Sequence, residues 1–554
     1  MKAPDTVFVG AEYEEKLSSR TMAAVARKAG FTSGVAGFNS VEDTPLVVTS
    51  TIAAGPRLVG LSMAFQHRAP EFLRLAESLR REGYAGHIVA GGHFATATAA
   101  EVLERHAAVD TVVSFDGETP LGMLLERIDE PGRGGEIPGL AYRGAGGKVT
   151  SNEPETAPRD LDPLPWPIRD TPLKLHMGFP FTSLCGSRGC YGNCTFCAIN
   201  SYHRGRPGPR LRFRSPESIA REIAWLWHEK GARIFCFHDD TWFLPNRRRM
   251  IERMDELAAH LDRLGVVQPV AMVAKARPDA IDAPLLAHLR ERLGLMRLYV
   301  GIENFSAAGI EHLGRRVTRD QIDASLEACT AAGVYGCYNL LVFEPDARLE
   351  DAADNVEGMR KFESIPVHFC RAEAYNGTAL HTYLKKTGRI RGNYLASDYV
   401  IADPRMEALF RVTYQAFKDR NFSADALANM NMSIGYELQI LHHFGGEEVL
   451  GGDLGRMDLE AADLMTSINR NSREHLSEAV EFVKGGGWRD PAGSIAFTVD
   501  LAGKINFEGA ALHTRLLEVR RSLQDLASRL PGARRFPVGG DVETSGLSRT
   551  NNEP

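Results

Sequence analysis

Two stretches of this 554-residue chain alternate short apolar runs with amphipathic helical patterns. The apolar runs predict strands, because they are short, rich in β-branched residues and bounded by glycine or polar positions. Regular strand–helix alternation is typical of a parallel sheet with helices on both faces. The chain is longer than a domain built around a single hydrophobic core usually is. The chain is therefore expected to contain two successive α/β domains and further structure.

The first alternation occupies residues 1–130 and predicts a doubly wound, Rossmann-like domain. Its clearest helix is predicted over Ala69–Glu82, where apolar residues recur at helical spacing. The predicted strands are Thr6–Gly10, Leu46–Thr51, Leu58–Met63, Ile88–Ala90 and Thr111–Ser114. Residues 131–175 are rich in proline and predict a linker, with a hairpin around Arg143–Gly147.

The second alternation, over residues 176–390, contains six strand–helix units and predicts a partial (β/α)6 barrel. In barrels of this type, chemistry lies at the carboxyl ends of the strands. One helix has a clear start, with Ser215 as the cap and Pro216 in the first turn. The predicted strands are Phe179–Leu184, Ala232–Phe237, Val267–Ala274, Met296–Ile302, Val334–Phe343 and Val367–Ala372.

Strand patterns fade after residue 390, and residues 391–535 predict a mostly α domain. Residues 536–554 are expected to form a mobile tail. The predicted helices are Met406–Lys418, Ala424–Phe444, Leu459–Lys484 and Phe507–Leu530.

Composition narrows the class of protein. The chain carries 65 Lys and Arg against 71 Asp and Glu, a net charge of −6, so no general nucleic-acid or lipid affinity is expected. No run of residues is long and apolar enough to predict a membrane span, and the N-terminus lacks the pattern of a secretory signal. Eight cysteines are too few for a disulfide scaffold. These features predict a soluble, cytoplasmic protein.

Three of the eight cysteines, Cys190, Cys194 and Cys197, follow a predicted strand in a C-x3-C-x2-C spacing. Thiolates are soft ligands that suit iron–sulfur clusters or zinc. Three of them can hold three irons of a cubane and leave the fourth iron open. A structural zinc site completed by His203 is the alternative. The other cysteines are interpreted as small core residues: Cys185, Cys236, Cys329, Cys337 and Cys370.

The segment Ser187–Cys197, with the aromatic Phe196 before the last cysteine, resembles the signature of the radical S-adenosylmethionine (radical SAM) enzymes. The resemblance implies a [4Fe–4S] cluster on Cys190, Cys194 and Cys197, with SAM bound at the open iron. It also implies an external one-electron reductant, flavodoxin- or ferredoxin-like, and cleavage of SAM to a 5′-deoxyadenosyl radical.

Residues after later strands resemble the SAM contacts of that family. Asp239 or Asp240 occupies the place of the family's Gly-Gly-Glu motif and would face the SAM ammonium; a solvated turn is the alternative. Arg277 would meet the SAM carboxylate, and Glu303 would lie near the ribose. The basic stretch Arg204–Arg214 is too short to indicate nucleic-acid binding. It is interpreted as a solvated loop, or one that neutralises acidic groups of a cofactor.

The N-terminal domain resembles the cobalamin-binding module that precedes the barrel in one subgroup of radical SAM enzymes. A plain flavodoxin-like sheet is the alternative. The usual Asp-x-His-x-x-Gly ligand motif is absent, so the lower cobalt face is expected to be open, bound to water, or approached by the loop Phe65–Arg68. In the last case a non-coordinating Arg68 would lie near cobalt, with His67 as an alternative ligand; an ordinary surface loop is the other interpretation. The residues expected near the cofactor are Ser62, Gly91, Gly92, Gly117 and Glu118.

Together these segments resemble the cobalamin-dependent radical SAM methyltransferases. The resemblance implies methyl transfer from methylcobalamin to an unactivated carbon of a small molecule, as in antibiotic biosynthesis. A rearrangement, cyclisation or ring contraction without methyl transfer is the alternative. A tRNA methylthiotransferase is disfavoured, since residues 1–130 contain no cysteine for a second cluster. A cobalamin-sensing or electron-transfer protein is the hypothesis from another class. No nucleic-acid partner and no membrane are expected.

Overall fold

The computed structural model describes residues 4–12, 15, 17–130, 133–266, 270–423 and 425–534. The predicted tail 536–554 and the start of the strand predicted at Val267 lie outside them. The strands are β1 (Thr6–Gly10), β2 (Ser33–Gly37), β3 (Leu58–Ser62), β4 (His87–Gly91), β5 (Thr111–Val113), β6 (Leu140–Arg143), β7 (Val149–Ser151), β8 (Lys174–His176), β9 (Phe179–Leu184), β10 (Ser187–Arg188), β11 (Arg212–Phe213), β12 (Ile234–Phe237), β13 (Ala271–Ala276), β14 (Leu295–Glu303), β15 (Tyr335–Phe343), β16 (Val367–Arg371), β17 (Ile390–Gly392) and β18 (Ser397–Tyr399).

The α-helices of the described residues are α1 (Leu17–Lys28), α2 (Thr44–Ala54), α3 (Ala69–Arg81), α4 (His93–Ala97), α5 (Ala99–Arg105), α6 (Glu118–Glu126), α7 (Ala198–Arg204), α8 (Pro216–Lys230), α9 (Arg247–Arg263), α10 (Ala283–Leu293), α11 (Ala307–His312), α12 (Arg319–Ala331), α13 (Leu349–Lys361), α14 (Ala379–Lys386), α15 (Pro404–Ala416), α16 (Lys418–Phe422), α17 (Leu427–Phe444), α18 (Gly446–Leu450), α19 (Gly452–Lys484) and α20 (Pro491–Ala527). These elements fall into two compact units. Unit 1 is built from residues within 1–172, 185–218 and 373–399, and unit 2 from residues within 173–184, 219–372 and 400–554.

Unit 1 contains a seven-stranded sheet of order β2-β1-β3-β4-β5-β6-β7. The first five strands are parallel, and the antiparallel hairpin β6–β7 extends the sheet. Consecutive strand residues such as Phe8 and Val9 belong to different apolar clusters. Apolar clusters therefore cover both faces of the sheet. The doubly wound prediction is confirmed. In the order 2-1-3-4-5, ligands bind beyond the carboxyl ends of the strands, at the β1/β3 switch point.

One strand prediction in this domain is wrong. Leu46–Thr51 lies within helix α2, which has Pro45 in its first turn and ends at Gly55 in a left-handed conformation with φ of 58°. These end signals, together with the burial of Val47 and Val48, outweigh the β-branched composition. The strand that was missed is β2, an edge strand. The hairpin predicted around residues 143–147 is present as β6 and β7.

Unit 2 contains a sheet of order β16-β15-β14-β13-β12-β9-β8. Its six parallel strands β9 and β12–β16 match the six strands predicted for the partial barrel, and β8 adds an antiparallel edge. Helix α8 begins at Pro216 as predicted, and the Ser215 hydroxyl accepts a hydrogen bond from the Ser218 amide at 3.0 Å.

The helices predicted after residue 390 are present as α15, α17, α19 and α20. Helix α20 begins at Pro491 rather than at Phe507, because the Asp490 carboxylate accepts hydrogen bonds from the amides of Ala492 and Gly493. Helices α17, α19 and α20 share one apolar cluster with residues of β9, β12 and β13. Among the described residues, no helix has the length and apolar character that crossing a membrane requires.

Candidate active site

The cysteine loop follows β9 in the chain and belongs to unit 1. Cys194 is buried, whereas Cys190 and Cys197 are half-buried, and none of the three forms a disulfide. The Gly192 amide donates a hydrogen bond to the Cys190 sulfur at 3.3 Å. A loop that carries three soft thiols within eight residues and donates an amide hydrogen bond to one sulfur fits the donor chemistry of an iron–sulfur cluster.

The zinc alternative would use Cys190, Cys194, Cys197 and His203 as its ligands. Within the described ranges, which include Cys190, Cys194, Cys197 and His203, no three His, Cys, Asp or Glu side chains form a compact group able to hold a metal ion. A closed zinc site would need four such ligands around a single ion. The irons of a cubane are bound one thiolate each, which spaces the ligands more widely.

Gly189 permits a close approach between the start of the cysteine loop and a later segment. Its φ is +89°, and a Cβ at this position would lie 1.8 Å from the backbone carbonyl oxygen of Arg210. No side-chain rotation relieves a contact with backbone, so residue 189 must be glycine for the loop to keep this path.

We expect Gly189→Ala to distort the loop and to lower the iron content of the anaerobically reconstituted protein. Gly83→Ala is the matched control, because Gly83 has φ of +90° and no atom within 4 Å of the added Cβ. The loss of stability in Gly83→Ala should reflect backbone strain alone. Gly189→Ala should lower the free energy of unfolding by about 1–3 kcal/mol more than Gly83→Ala does. Equal iron content and equal stability in the two variants would contradict a tight loop.

Asp116, just beyond β5, joins the cysteine loop to the rest of unit 1. Its Oδ2 accepts hydrogen bonds at 2.6 Å from both Arg206 and Arg212, and Arg188 lies 3.4 Å away. Arg188 also donates to Glu118 at 2.5 Å. Burial alone would raise the pKa of Asp116, but the three guanidinium groups outweigh it and hold that pKa well below its usual range.

This network corrects the interpretation of the basic stretch Arg204–Arg214 as a solvated loop or a partner of cofactor acids. The side chains of Arg206 and Arg212 are 2% and 0% exposed, and both bind Asp116. Arg214 binds the backbone and hydroxyl of Ser218. Two arginines of the stretch are therefore buried against one carboxylate, whereas Arg204 is exposed. Sequence spacing could not reveal this, since Asp116 lies about ninety residues upstream.

Aromatic contacts hold helix α7, which directly follows Cys197, against the carboxyl ends of β4 and β5. The Tyr202 ring lies 4.3 Å from the His93 ring and 5.4 Å from the Phe115 ring, between centroids. Phe115 has a positive φ of 64°, a strained conformation for an aromatic residue. The cysteine loop therefore lies in the same unit as the strand ends expected to hold cobalamin, and contacts them.

The residues expected near cobalamin lie at these strand ends. Ser62 ends β3, and its hydroxyl is 2.9 Å from that of Ser18. Gly91 ends β4 with only the Val113 carbonyl, at 3.6 Å, near an added Cβ. Gly92 has φ of +109°, and a Cβ there would lie 2.9 Å from the Met63 backbone, so the chain's own packing already requires this glycine.

The remaining expected contacts are more constrained than the sequence suggested. An added Cβ at Gly117 would lie 3.0 Å from the Met22 sulfur. Arg68 donates to Glu71 at 2.7 Å and to the Phe38 carbonyl. Burial, with Arg68 adjacent, lowers the pKa of His67 to about 4, so its imidazole is neutral. A place beside cobalt for Arg68 or His67 stays a prediction.

Four residues expected to contact SAM belong to unit 2: Asp239, Asp240, Arg277 and Glu303. Directly after β12, Asp239 is buried and Asp240 is exposed, so Asp240 is the more accessible of the two carboxylates. Phe196 of the signature, in unit 1, is half-buried. These roles stay predictions.

Glu303, one of the expected SAM contacts, ends β14. Its φ is +67°, and the register between β14 and β15 shifts just before it. Burial raises the pKa of its carboxyl despite the nearby Arg315 and Arg277. Arg277 is held by Asp279 at 3.0 Å and by the Arg315 carbonyl at 2.8 Å. A strained backbone with a perturbed acid is typical of functional sites.

Two protein-family models match separate ranges of the chain. Residues 8–125 match the B12 binding domain, and residues 184–356 match the Radical SAM superfamily. The chain therefore combines a B12-binding domain with a radical SAM domain, and the resemblance to cobalamin-dependent radical SAM enzymes is confirmed. The cofactors of these domains are cobalamin, SAM and a [4Fe–4S] cluster.

The individual proteins that resemble this chain share a low sequence identity with it. An uncharacterized methyltransferase of Pyrococcus horikoshii is 25% identical over 333 residues, which cover 59% of this chain and 69% of the relative. An anaerobic magnesium-protoporphyrin IX monomethyl ester cyclase of Synechocystis is 25% identical over 241 residues, 42% of this chain but only 46% of that protein. The structure of OxsB with aqua-cobalamin has a TM-score of 0.66 at 15% identity, covering 95% of this chain and 80% of OxsB, a likeness of fold.

Proposed function

We propose that this cobalamin-dependent radical SAM enzyme transfers a methyl group from methylcobalamin to an unactivated carbon of a small-molecule natural-product intermediate. The observation that carries the proposal is the attachment of the cysteine loop to the carboxyl ends of β4 and β5 through Asp116, Glu118 and Tyr202. Methyl transfer to carbon requires both cofactors to act on one substrate atom. A short, rigid connection between their binding segments supports that arrangement.

The chain's own residues position the cysteine loop against the strand ends and exclude water from the contact. When bound, the cluster with SAM supplies hydrogen abstraction from carbon, and cobalamin supplies the methyl group. Arg188, two residues before Cys190, fixes the start of the loop through Glu118, and Tyr202 fixes its end through His93 and Phe115. The buried ion pairs and the tilted ring contacts pack the loop against the strand ends, which favours exclusion of water there.

A second candidate is a rearrangement, cyclisation or ring contraction without methyl transfer. The similarity to the Synechocystis cyclase favours it, whereas the Pyrococcus relative is named a methyltransferase. In both cases the partners are a small-molecule substrate and an external one-electron reductant of the flavodoxin or ferredoxin type.

An anaerobic assay with reconstituted cluster, cobalamin, SAM and a reductant separates the two candidates. Candidate metabolites are added, and the products are identified by mass spectrometry. We expect 5′-deoxyadenosine and S-adenosylhomocysteine together, with a product heavier by one CH2 group. Deoxyadenosine and a changed product of unchanged carbon number, without S-adenosylhomocysteine, would favour the second candidate. Release of neither SAM product would overturn both.

A further inference from the structure

Lys275 is the exposed residue of an otherwise buried strand. Strand β13 lies between β12 and β14 in the parallel sheet, and its other five residues are buried. The interior strands of parallel sheets are normally apolar on both faces, and lysine is almost never buried without a partner. An exposed lysine in this strand therefore faces open space on one face of the sheet.

The register of the sheet places two more polar residues beside Lys275. Lys275 pairs with Tyr299 of β14, and Tyr299 pairs with Cys337 of β15. Asn339 lies two residues after Cys337 and therefore on the same face. Adjacent strands are about 4.8 Å apart, so three neighbouring strands present Lys275, Tyr299 and Asn339 as one patch. We call these three residues the polar patch.

The groups of the polar patch are unsatisfied within the described chain. There Lys275 forms no ion pair or hydrogen bond, Tyr299 forms no hydrogen bond, and the buried Oδ1 of Asn339 has no partner. Burial, with Glu303 nearby, raises the pKa of Tyr299 well above its ordinary value, so the phenol keeps its proton. The patch thus offers a cation, two neutral donors and one buried acceptor.

Toward the amino ends of the strands the same face is buried; it carries apolar residues and also Arg297, which pairs with Val273. Phe181, Ile234, Ala271 and Val273 pack there in one cluster with helix α17. The residues expected to contact SAM follow the strand ends, so Lys275 lies nearer these buried residues than Arg277 does. A ligand group that reaches the polar patch therefore lies below the level expected for SAM.

We propose that the polar patch of Lys275, Tyr299 and Asn339 binds an anionic group of the substrate, a phosphate or carboxylate, next to a hydroxyl or amine that donates to Asn339. The proposal rests on the proposed function for the existence of a substrate in this barrel, and it names the class of that substrate. Lysine recognises an anion as a point charge, and the phenol adds a directed hydrogen bond.

Direct binding measurements test the proposal without turnover. Inorganic phosphate and acetate are the probes, titrated into the reconstituted, SAM-loaded enzyme and followed by NMR line broadening. We expect at least one probe to bind, Lys275→Met to weaken it at least tenfold, and Tyr299→Phe to weaken it severalfold. Lys148→Met removes an exposed lysine of the β6–β7 hairpin and should change nothing.

The dissociation constant of SAM, measured on the same variants, separates the two possible sources of the anion. An unchanged SAM constant with weakened probe binding supports a substrate site. A SAM constant weakened tenfold in Lys275→Met, or probe binding equal in Lys275→Met and the parent enzyme, would overturn the proposal. The release of S-adenosylhomocysteine tests the proposed function separately, so the two can fail independently.

Discussion

Cys194→Ala is expected to abolish formation of deoxyadenosine and of the product that accompanies S-adenosylhomocysteine. The purified variant is also expected to lack the brown colour of the cluster. This is the largest effect that we expect from a single substitution. A cubane held by three thiolates of one loop loses a third of its protein ligands with one substitution. Cys194 is the most buried of the three, so no water or external thiol replaces it easily. Iron and sulfide analysis after anaerobic reconstitution provides the measurement.

Cys329→Ala is the matched control for this substitution. Cys329 is buried in helix α12, and burial raises the pKa of its thiol to about 12, so it remains a neutral core group. The control should keep full iron content and turnover, and lose at most about 1 kcal/mol of stability. A Cys194→Ala protein that retained the colour and SAM cleavage would remove the cluster from this loop.

The second large effect is expected from Asp116→Asn. The substitution keeps the size of the side chain but leaves Arg188, Arg206 and Arg212 without the carboxylate that they share. Breaking a buried ion pair from one side costs about 3–5 kcal/mol, because the remaining charge stays desolvated. We expect a fall of about 3 kcal/mol in the free energy of unfolding of unit 1, and faster proteolysis of the cysteine loop.

The loss of stability caused by Asp116→Asn is expected to depend on pH. The pKa of Asp116 lies below its ordinary value of 3.8 in the folded protein, so its carboxylate stabilises the fold fully above that pH and loses this contribution as the pH falls. The difference in stability between the parent and Asp116→Asn should therefore be largest near neutral pH and shrink below about pH 4. Urea midpoints of the cluster-free proteins measure it.

Asp129→Asn is the control for loss of an aspartate that pairs with arginine. Asp129 binds Arg57, but its side chain is 83% exposed, and pairs of this kind are worth less than about 1 kcal/mol. If Asp116→Asn destabilised the protein no more than this control, the arginines would not depend on Asp116.

The strands and the cluster cysteines could be predicted because their signals are local. The six parallel strands of unit 2 are rich in apolar residues, and Cys190, Cys194 and Cys197 carry their spacing within eight residues. Strand β2 was missed because an edge strand with two glycines in five residues lacks that signal. Helix α2 was mistaken for a strand because Val47 and Val48 dominate its composition.

The contacts between distant segments could not be predicted. Arg212 pairs with Asp116 across 96 residues, and only the folded chain brings them together. The place of Lys275 in the polar patch could not be predicted either, since one lysine at the end of an apolar run is an ordinary strand boundary in a sequence. Its meaning comes from the register with Tyr299 on the neighbouring strand.

Because unit 1 is assembled from three separated stretches of chain, it cannot be produced by a single cut in the gene. A fragment that stops at Pro172 would contain the whole first sheet but none of Arg188, Arg206 and Arg212. Asp116 and Glu118 would then be acids without their counter-ions at the edge of the fragment. An engineered cobalamin carrier derived from this chain would need neutral residues at both positions, or the segment 185–218 grafted back by a linker.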